Sequence, residues 1–254
     1  MLTTHNLSLT IDQKTILHSL NLEFQSGKIY GLIGHNGSGK SSLIKILANQ
    51  QKGFRGEVRL DGKNIKEYSS KEFAKKLAYL PQILPDTSHL NGFELVNMGR
   101  YAHQSGFVRD RSKDEEIVLK CLEATKTLQF KDQEVRTLSG GEKSRLFLAM
   151  LLAQQSQFLL LDEPLAPLDI SYQIEVMYLI SKLCKELEKG VIIVIHDINL
   201  ASLYCDRLIA LRSGEVIFND RASNVMNENR LEDIYGIKAS IITHPAKNQS
   251  VAVF

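Results

Sequence analysis

The stretch GHNGSGKS, residues 34–41, decides the fold of this chain. It has the form G-x-x-x-x-G-K-S, follows the apolar run IYGLI (29–33) and precedes the helical pattern SSLIKILA (41–48). A strand, a glycine-rich turn and a helix start in this order form the context in which such a loop binds phosphate groups. The alternative is a plain strand–turn–helix corner, which would need neither the Lys nor the Ser. The sequence therefore predicts a phosphate-binding loop.

Each residue type in this loop has a chemical reason. Gly37 and Gly39 let the backbone bend so that successive N–H groups face phosphate oxygens, and the helix N-terminus adds partial positive charge. Lys40 brings a positive charge to the β and γ phosphates, and the Ser41 hydroxyl can reach Mg²⁺. We therefore expect a nucleoside triphosphate with Mg²⁺. The predicted nucleotide-binding residues here are Gly34, His35, Asn36, Gly37, Ser38, Gly39, Lys40, Ser41 and Ser42.

Composition excludes several classes of protein. The chain has 254 residues with 31 basic and 29 acidic side chains, and a net charge of +2 is no footprint for nucleic acid. Three cysteines in no metal-type or redox-type spacing, Cys121, Cys184 and Cys205, are typical of a reducing compartment. We expect no signal peptide and no membrane-spanning run, so a role at a membrane would act through a partner.

Apolar runs predict a parallel sheet. Buried strands are expected at 158–162, at 191–195 and, on a weaker pattern, at 77–80, in addition to 29–33. Helical patterns separate them, and strand–helix alternation of this kind predicts an α/β fold with helices on both faces. The helix predicted over 174–187 places its apolar residues at helical spacing and is followed by a stop signal: Ile174, Met177, Ile180, Cys184 and Leu187, then Gly190.

Two regions depart from this alternation. Residues 1–28 and 54–66 alternate apolar and polar residues around turn signals, which predicts antiparallel β structure. Residues 83–156 contain helix patterns and no convincing strand, which predicts an inserted helical sub-domain. We therefore expect one domain over the whole chain, in which 1–82 and 157–254 form the core with its antiparallel β sub-domain.

Polar side chains follow three of the predicted strands. Ligands bind at the carboxyl ends of parallel strands, where Asp162 is placed to hold Mg²⁺. Its neighbour Glu163 would point the other way in an extended chain and polarise the attacking water. His196 and Gln82 follow two other strands. A solvated turn, a structural histidine and a loop amide would explain these residues singly, but their common edge favours a nucleotide-hydrolysing site.

A second glycine-rich stretch, LSGGEKSR, occupies residues 138–145. Ser139 and Glu142 have the spacing of a capping box, so a well-capped helix would explain them, as at SSKE (69–72). Two glycines in the first turn each cost roughly 0.5–1 kcal/mol against Ala, but they expose backbone N–H groups to an anion. The stretch adds four predicted nucleotide-binding residues: Ser139, Gly140, Gly141 and Glu142.

Together these motifs resemble the ATP-binding subunits of ABC transporters over essentially the whole chain. GHNGSGKS resembles the Walker A loop, LLLDEP the Walker B motif with its catalytic Glu163, and LSGGE the family's signature motif. Gln82 in YLPQ resembles the Q-loop glutamine, His196 in VIHD the switch histidine, and Leu168-Asp169 the D-loop. The resemblance implies a RecA-like P-loop fold and the following roles: catalytic for Lys40, Gln82, Glu163 and His196, metal-binding for Ser41, Gln82 and Asp162, and nucleotide-binding for Asp169.

The resemblance also implies partners. Two copies would pair head to tail, with each Walker A loop facing the signature motif of the other copy and two ATP between them. Transmembrane permease subunits would dock near Gln82 and the 83–156 arm, and an extracytoplasmic substrate-binding protein would act through the permease. The chain would then be a peripheral protein on the cytoplasmic face of the membrane, with no nucleic acid partner.

Three places depart from the family pattern. Ile11 stands where the family often carries an aromatic residue on which adenine stacks. LAPLD replaces the common TSALD of the D-loop, and Pro167 is expected to stiffen it because proline fixes its own φ and restricts the residue before it. Lys143-Ser144-Arg145 follow the signature, where Gln or Arg is usual at the first two positions.

The resemblance is closer within one branch. The stretches LIGHNGSGKSSL, YLPQILP, IHDINLASLYCDRLIALRSGEV and the IYGI…HP tail resemble ATPase subunits that import ferric hydroxamate siderophores. Importers of vitamin B12, haem or another metal complex are the alternative. A non-transport ABC ATPase acting on nucleic acid is a further one, against which the absence of sustained heptads between Walker A and signature argues. His244-Pro245 is interpreted as a turn and not as an iron ligand.

Overall fold

The computed structural model describes residues 1–87, 89–104, 111–166, 168–243 and 250–254. The predictions for Pro167 and for His244-Pro245 lie outside these residues. In chain order the strands are β1 (Leu2–Ile11), β2 (Lys14–Phe24), β3 (Ile29–Ile33), β4 (Arg55–Leu60), β5 (Lys63–Asn64), β6 (Leu77–Leu80), β7 (Phe158–Leu161), β8 (Gly190–Val194), β9 (Arg207–Arg212), β10 (Glu215–Arg221), β11 (Ser240–Thr243) and β12 (Ser250–Val253).

The α-helices are α1 (Lys40–Leu47), α2 (Ser70–Ala74), α3 (Gly92–Met98), α4 (Arg111–Ala124), α5 (Gly140–Ala153), α6 (Ile170–Glu186), α7 (Ile198–Tyr204), α8 (Ala222–Val225) and α9 (Glu228–Tyr235). Short 3₁₀ turns lie at Ile65–Glu67, Tyr101–His103, Leu128–Phe130 and Val135–Thr137. Of the helices that the structure describes, none is both long and apolar enough to cross a membrane.

A six-stranded sheet forms the centre of the fold, in the order β10-β9-β3-β8-β7-β6. All its neighbouring pairs are parallel except β9 with β10. Strands β3, β7 and β8 are buried along their whole length, as expected for a parallel sheet that is covered on both faces. The four strands predicted from apolar runs are confirmed to within one residue, whereas the β9–β10 hairpin was not predicted.

The two faces of this sheet pack into two apolar clusters. One face packs with α1 and the antiparallel sheet β2-β1-β4-β5, which confirms the β structure predicted near residues 1–28 and 54–66. The other face packs with α5, α6 and α7. Along β3, Tyr30 and Leu32 belong to the first cluster, and Ile29 and Ile33 belong to the second. This alternation follows from the two-residue period of a strand.

Helices α3, α4 and α5 pack against one another beside the core. Among the described residues of 83–156, regular structure is helical apart from one isolated β-bridge between Asn91 and Glu134. Asn91 caps α3 through a capping box with Glu94. We retain the helical sub-domain with bounds 83–156 as a proposal.

The helix predicted over 174–187 needs correction. Helix α6 begins at Ile170, and two residues of the predicted apolar stripe are largely exposed: Ile174 (45 %) and Leu187 (52 %). Gly190 is not its stop signal, because the backbone already turns at Glu188 (φ 48°) and Gly190 begins β8. A glycine is needed there for packing, since a Cβ would lie 2.3 Å from Cε1 of Phe158.

Candidate nucleotide site

The loop between β3 and α1 has a backbone that only glycine adopts easily. Gly34, Gly37 and Gly39 have φ of 134°, 77° and 102°. A Cβ at Gly34 would lie 2.1 Å from the Leu211 carbonyl oxygen, and one at Gly39 would lie 2.6 Å from Cδ2 of Leu17. At Gly37 a Cβ would meet nothing within 4 Å, so only the backbone conformation requires glycine there.

Lys40 folds back over this loop. Its Nζ donates to the carbonyl oxygens of Gly34 at 2.8 Å and His35 at 2.9 Å, and burial lowers the pKa of its ammonium group. Helix α1 begins after Gly39 without a side-chain cap, so its first N–H groups remain available to an anion. The loop thus surrounds a concentration of positive charge, as a phosphate ligand requires. His35, Asn36 and Gly37 form its exposed outer part, and Ser42 is half-buried on α1.

Ser41 and Asp162 meet at the end of β7. Ser41 Oγ donates to Asp162 Oδ1 at 3.0 Å, and Asp162 is fully buried. Its Oδ2 has no hydrogen-bond partner among the described residues, and the same holds for the buried hydroxyl of Ser38. Burial raises the pKa of Asp162, and burial together with the nearby Asp162 carboxylate raises the pKa of Tyr79 to about 12.

A magnesium ion fits this pair of oxygens. The orphaned Asp162 Oδ2 lacks a positive partner, which is costly for a buried carboxylate. Within the described ranges, no cluster of three His, Cys, Asp or Glu side chains could hold a metal by itself. Mg²⁺ in proteins is commonly bound by one or two protein oxygens together with water and substrate phosphates. The donor set therefore suits Mg²⁺ that arrives with a nucleotide.

Glu163 is held from two sides. Gln82 Nε2 donates to Glu163 Oε2 at 2.8 Å, and His196 Nε2 lies 2.9 Å from Glu163 Oε1. The structure thus brings together three polar residues that follow three different strands. Glu163 diverges from Asp162 for a different reason from the predicted one. Its φ of 51° is left-handed. The two carboxylates therefore point apart because the backbone turns sharply at Glu163, and not because side chains alternate along an extended strand.

The second glycine-rich stretch forms the start of α5. Ser139 and Glu142 make the predicted capping box, with Glu142 Oε2 accepting from the Ser139 N–H and Oγ, both at 2.8 Å. Gly141 is buried, and a Cβ there would lie 2.9 Å from the Tyr172 ring on α6. Packing therefore accounts for this glycine without an anion, whereas Gly140 is exposed. In the part of the chain that the structure describes, no hydrogen bond or ion pair joins this stretch to residues 34–41.

Comparison with known proteins decides the family. The family described as ABC transporter matches residues 17–166. The chain belongs to the ABC transporter family. The iron(3+)-hydroxamate import ATP-binding protein FhuC of Bacillus subtilis (strain 168) is 38 % identical over 99 % of this chain and 94 % of that protein. The ferric enterobactin transport ATP-binding protein FepC of Escherichia coli (strain K12) is also 38 % identical, over 97 % and 91 %.

Solved structures support the same fold. An inward-facing, putative metal-chelate type ABC transporter matches with a TM-score of 0.85 at 21 % identity, over 100 % of this chain and 97 % of its own. The cassette MJ0796, dimeric and bound to ADP and Pi, matches with a TM-score of 0.76 at 27 % identity, over 87 % and 99 %. The predicted α/β P-loop fold is therefore confirmed, and the chain is an ATP hydrolase of the ABC family.

The residues predicted for the D-loop and for the signature motif lie at the starts of α6 and α5. Asp169 is exposed and caps α6, where it accepts from the Tyr172 N–H at 3.0 Å and from Ser171 Oγ at 2.8 Å. The Tyr172 ring packs on Gly141, and its face lies 5.6 Å from the guanidinium of Arg145. Tyr172 therefore links the start of α6 to the start of α5.

Two residues near the site were not predicted. Asp197 caps α7 through the N–H groups of Asn199 and Leu200, which anchors the backbone directly after His196. An aspartate before an apolar helix pattern is a capping signal, so the sequence contained this information. Tyr79 projects toward Asp162 from β6, but a single tyrosine in a four-residue apolar run gives no such signal.

Proposed function

We propose that this chain is the ATP-binding and hydrolysing subunit of an ABC importer for iron(III)–siderophore complexes of the hydroxamate type. The ATPase chemistry is supported by the Glu163 carboxylate, which contacts Gln82 and His196 and lies next in sequence to the Asp162 that binds Ser41. The cargo is supported by the names of relatives, among them the hydroxamate and enterobactin proteins at 38 % identity.

Import of another chelate is the second candidate for the cargo. The hemin import ATP-binding protein HmuV of Pseudomonas fluorescens (strain Pf0-1) is 34 % identical over 100 % of this chain and 99 % of that protein. The difference in identity from the hydroxamate relative is small. An uptake measurement therefore has to separate the two.

The loop would bind the triphosphate of ATP. The backbone N–H groups at the start of α1 would donate to phosphate oxygens, and Lys40 would turn its ammonium from the Gly34 and His35 carbonyls toward the β and γ phosphates. Ser41 and Asp162 would provide oxygen ligands for Mg²⁺, and Gln82 would be a further metal contact. Bound Mg²⁺ neutralises charge on the phosphate oxygens.

Glu163 would orient and deprotonate the attacking water. Gln82 and His196 each contact one oxygen of its carboxylate, so at least one of them has to release Glu163 before the carboxylate can accept a proton from water. His196 would contact the γ-phosphate once it leaves Glu163. Lys40 stabilises the negative charge that develops on the phosphoryl group in the transition state.

The remaining site residues would act on a second copy. Ser139, Gly140, Gly141 and Glu142 would cover the nucleotide held by the partner's loop, with Asp169 beside them, so that a homodimer encloses two ATP. Permease subunits would dock near Gln82 and the 83–156 arm, on the cytoplasmic face of the membrane. Three strongly exposed apolar residues in that region support this docking: Ile83 (85 %), Tyr101 (67 %) and Met98 (54 %). An extracytoplasmic binding protein would deliver cargo to the permease.

Glu163→Gln tests the catalytic assignment. We expect turnover to fall by about 10²–10⁴-fold, because the general base is lost while its shape is kept. ATP binding should persist, and gel filtration with ATP should show an accumulated dimer. Glu123→Gln, at an exposed position on α4, serves as the control with normal phosphate release. Unimpaired turnover in Glu163→Gln would refute the proposed site.

Radiolabelled iron uptake tests the cargo. A strain that lacks this chain should lose uptake of ferric hydroxamate and regain it with the wild-type chain but not with Glu163→Gln. Haem uptake, measured in the same strains, should be unaffected. Loss of haem uptake with intact ferric hydroxamate uptake would transfer the proposal to the second candidate.

A further inference from the structure

A cavity of about 500 Å³ lies between the helical region and the core, and it shares no lining residue with the nucleotide site. Its volume falls in the range of about 300–1,000 Å³ that small organic ligands occupy. Helices α4 and α5 form one side of it, and α6 with the turn into β8 forms the other. We call it the Lys189 cavity. Its lining includes Ile117, Cys121, Leu152, Gln155, Leu183 and Lys189.

Lys189 is the unusual member of this lining. It is 8 % exposed, and its Nζ donates to the Ser156 carbonyl oxygen. An ammonium group has three donors. Among the described residues, no carboxylate lies within ion-pair distance of Lys189, and burial lowers its pKa. A buried charge without an opposite charge is costly. The ammonium of Lys189 is therefore explained either by a bound anion or by a purely structural role.

The other charges at this cavity are already paired. Lys120 Nζ lies 2.5 Å from Glu116, and Glu186 lies 3.8 Å from Lys182, all at exposed positions. Burial raises the pKa of the Cys121 thiol to about 11, so this side chain is neutral at physiological pH. Among the described residues that line this cavity, Lys189 is therefore the charged side chain without an ion pair, and half of the lining residues are aliphatic.

Gln155 offers a second donor in the same lining. Its Oε1 accepts from Arg100 Nη1 at 2.9 Å, and the buried Arg100 is itself held by Asp114 at 2.8 Å. This contact fixes the orientation of the amide and leaves its NH₂ group as a donor. Gln155 also has a left-handed backbone, with φ of 54°, a conformation that is uncommon outside glycine.

We propose that the Lys189 cavity binds a small organic monoanion, a carboxylate that carries a short aliphatic chain. The carboxylate would pair with the Lys189 ammonium and accept from the Gln155 amide, while the chain would pack on Leu152 and Leu183. Because residues of the helical region and of the core line opposite sides, a bound molecule would bridge the two. The proposal is independent of the cargo and of the catalytic assignment.

Octanoate, used at concentrations where it is monomeric, tests the proposal. Titration of the full-length chain, with ¹³C-labelled Ile and Leu methyl groups, should give saturable shifts at Ile117, Leu152 and Leu183. The uncharged 1-octanol and the cationic octylammonium should bind about tenfold or more weakly. Lys189→Met should weaken octanoate by about tenfold or more and leave 1-octanol unchanged.

A second variant covers the case in which Lys189→Met does not fold. Leu187 lines the rim and is exposed, so substitution there leaves the core intact. Leu187→Glu should weaken octanoate through like-charge repulsion, and the matched Leu187→Gln should not. The absence of saturable octanoate binding to the wild-type chain would overturn the proposal. Equal affinities for octanoate and 1-octanol, or equal octanoate affinities of Leu187→Glu and Leu187→Gln, would do the same.

Discussion

Residues 34–41 and 138–145 are both glycine-rich and both lie at the start of a helix. They differ in how the first turn of that helix is hydrogen-bonded. At the first, Gly39 precedes α1 and gives it no side-chain cap. At the second, Ser139 and Glu142 close a capping box at the start of α5. The first turn of α1 therefore leaves its backbone N–H groups free to bind a ligand. In α5 the capping box already accepts hydrogen bonds from some of these N–H groups.

The glycines also serve different purposes. In the first stretch they permit left-handed backbone, and Gly39 is additionally enclosed by Leu17. In the second, Gly141 has helical geometry and makes room for the Tyr172 ring. The first stretch is thus shaped around its own ligand, and the second is shaped by packing of α5 on α6. A ligand of the second has to approach its exposed edge, as a nucleotide on another copy would.

Replacement of the lysine in each stretch should give the largest difference in ATP hydrolysis between the two stretches. Lys40→Met should reduce ATP hydrolysis by about 10³-fold, because the charge enclosed by the loop is removed from the transition state. Lys143→Met is the matched control, since Lys143 lies two residues after the glycine pair of the second stretch and its Nζ makes a long 3.4 Å contact with the Arg136 carbonyl. Phosphate release measures both. Similar losses in the two variants would show that the stretches are equivalent.

Ser139→Arg should give the next largest effect. Hydrolysis should fall by about 10²-fold because the long cation blocks approach to the partner's nucleotide, while ATP binding to the monomer persists in equilibrium dialysis. Ser69→Arg removes the same kind of capping box on α2, and either substitution should cost about 1 kcal/mol of stability. Unchanged hydrolysis in Ser139→Arg would exclude a role for this helix start on a second copy.

Alanine at two positions of the first loop should separate backbone strain from crowding. Gly39→Ala combines φ of 102° with a 2.6 Å approach to Leu17 and should lower the free energy of unfolding by about 2–3 kcal/mol. Gly37→Ala has φ of 77° in open space and should cost about 1 kcal/mol. Urea unfolding measures both values. Equal midpoints with equal slopes would mean that Leu17 gives way without cost.

The sequence predicted which side chains would meet at one sheet edge, because independent patterns converge there. Continuous apolar runs located β3, β7 and β8, and the polar residues after them had to meet because carboxyl ends of parallel strands share an edge. The contacts of Glu163 with Gln82 and His196 follow from this placement. The geometry of these hydrogen bonds could not be predicted from the sequence, because the left-handed backbone of Glu163 leaves no periodic signal in the pattern of residues.

Other features could not be predicted for equally physical reasons. The apolar stripe of α6 was misplaced because Ile174 is exposed and Val176 is buried in its stead. The β9–β10 hairpin was overlooked although Ser213-Gly214, both with positive φ, form its turn. Strand β10 is only partly buried, so it lacks the continuous apolar run by which the central strands were recognised.

The smallest expected effect is a difference between the two helix starts in how their stability depends on acid pH. The N–H and hydroxyl of Ser139 lower the pKa of Glu142 below its ordinary value near 4.5. A carboxylate with a depressed folded pKa adds stability that is present above the unfolded value and is lost as the pH falls through the folded one. Helix α1 has no acidic residue in its first turn, so acid should leave its start unchanged through this mechanism.

Amide hydrogen exchange between roughly pH 5 and 3 measures this difference locally. After correction for the intrinsic exchange rate, protection at the first turn of α5 should decrease with acid, and protection at the first turn of α1 should stay constant. Glu142→Gln keeps an acceptor in the box but cannot titrate, so it should cost about 0.5 kcal/mol at neutral pH and abolish the acid dependence. A parallel loss of protection at both helix starts would mean that the box does not distinguish them.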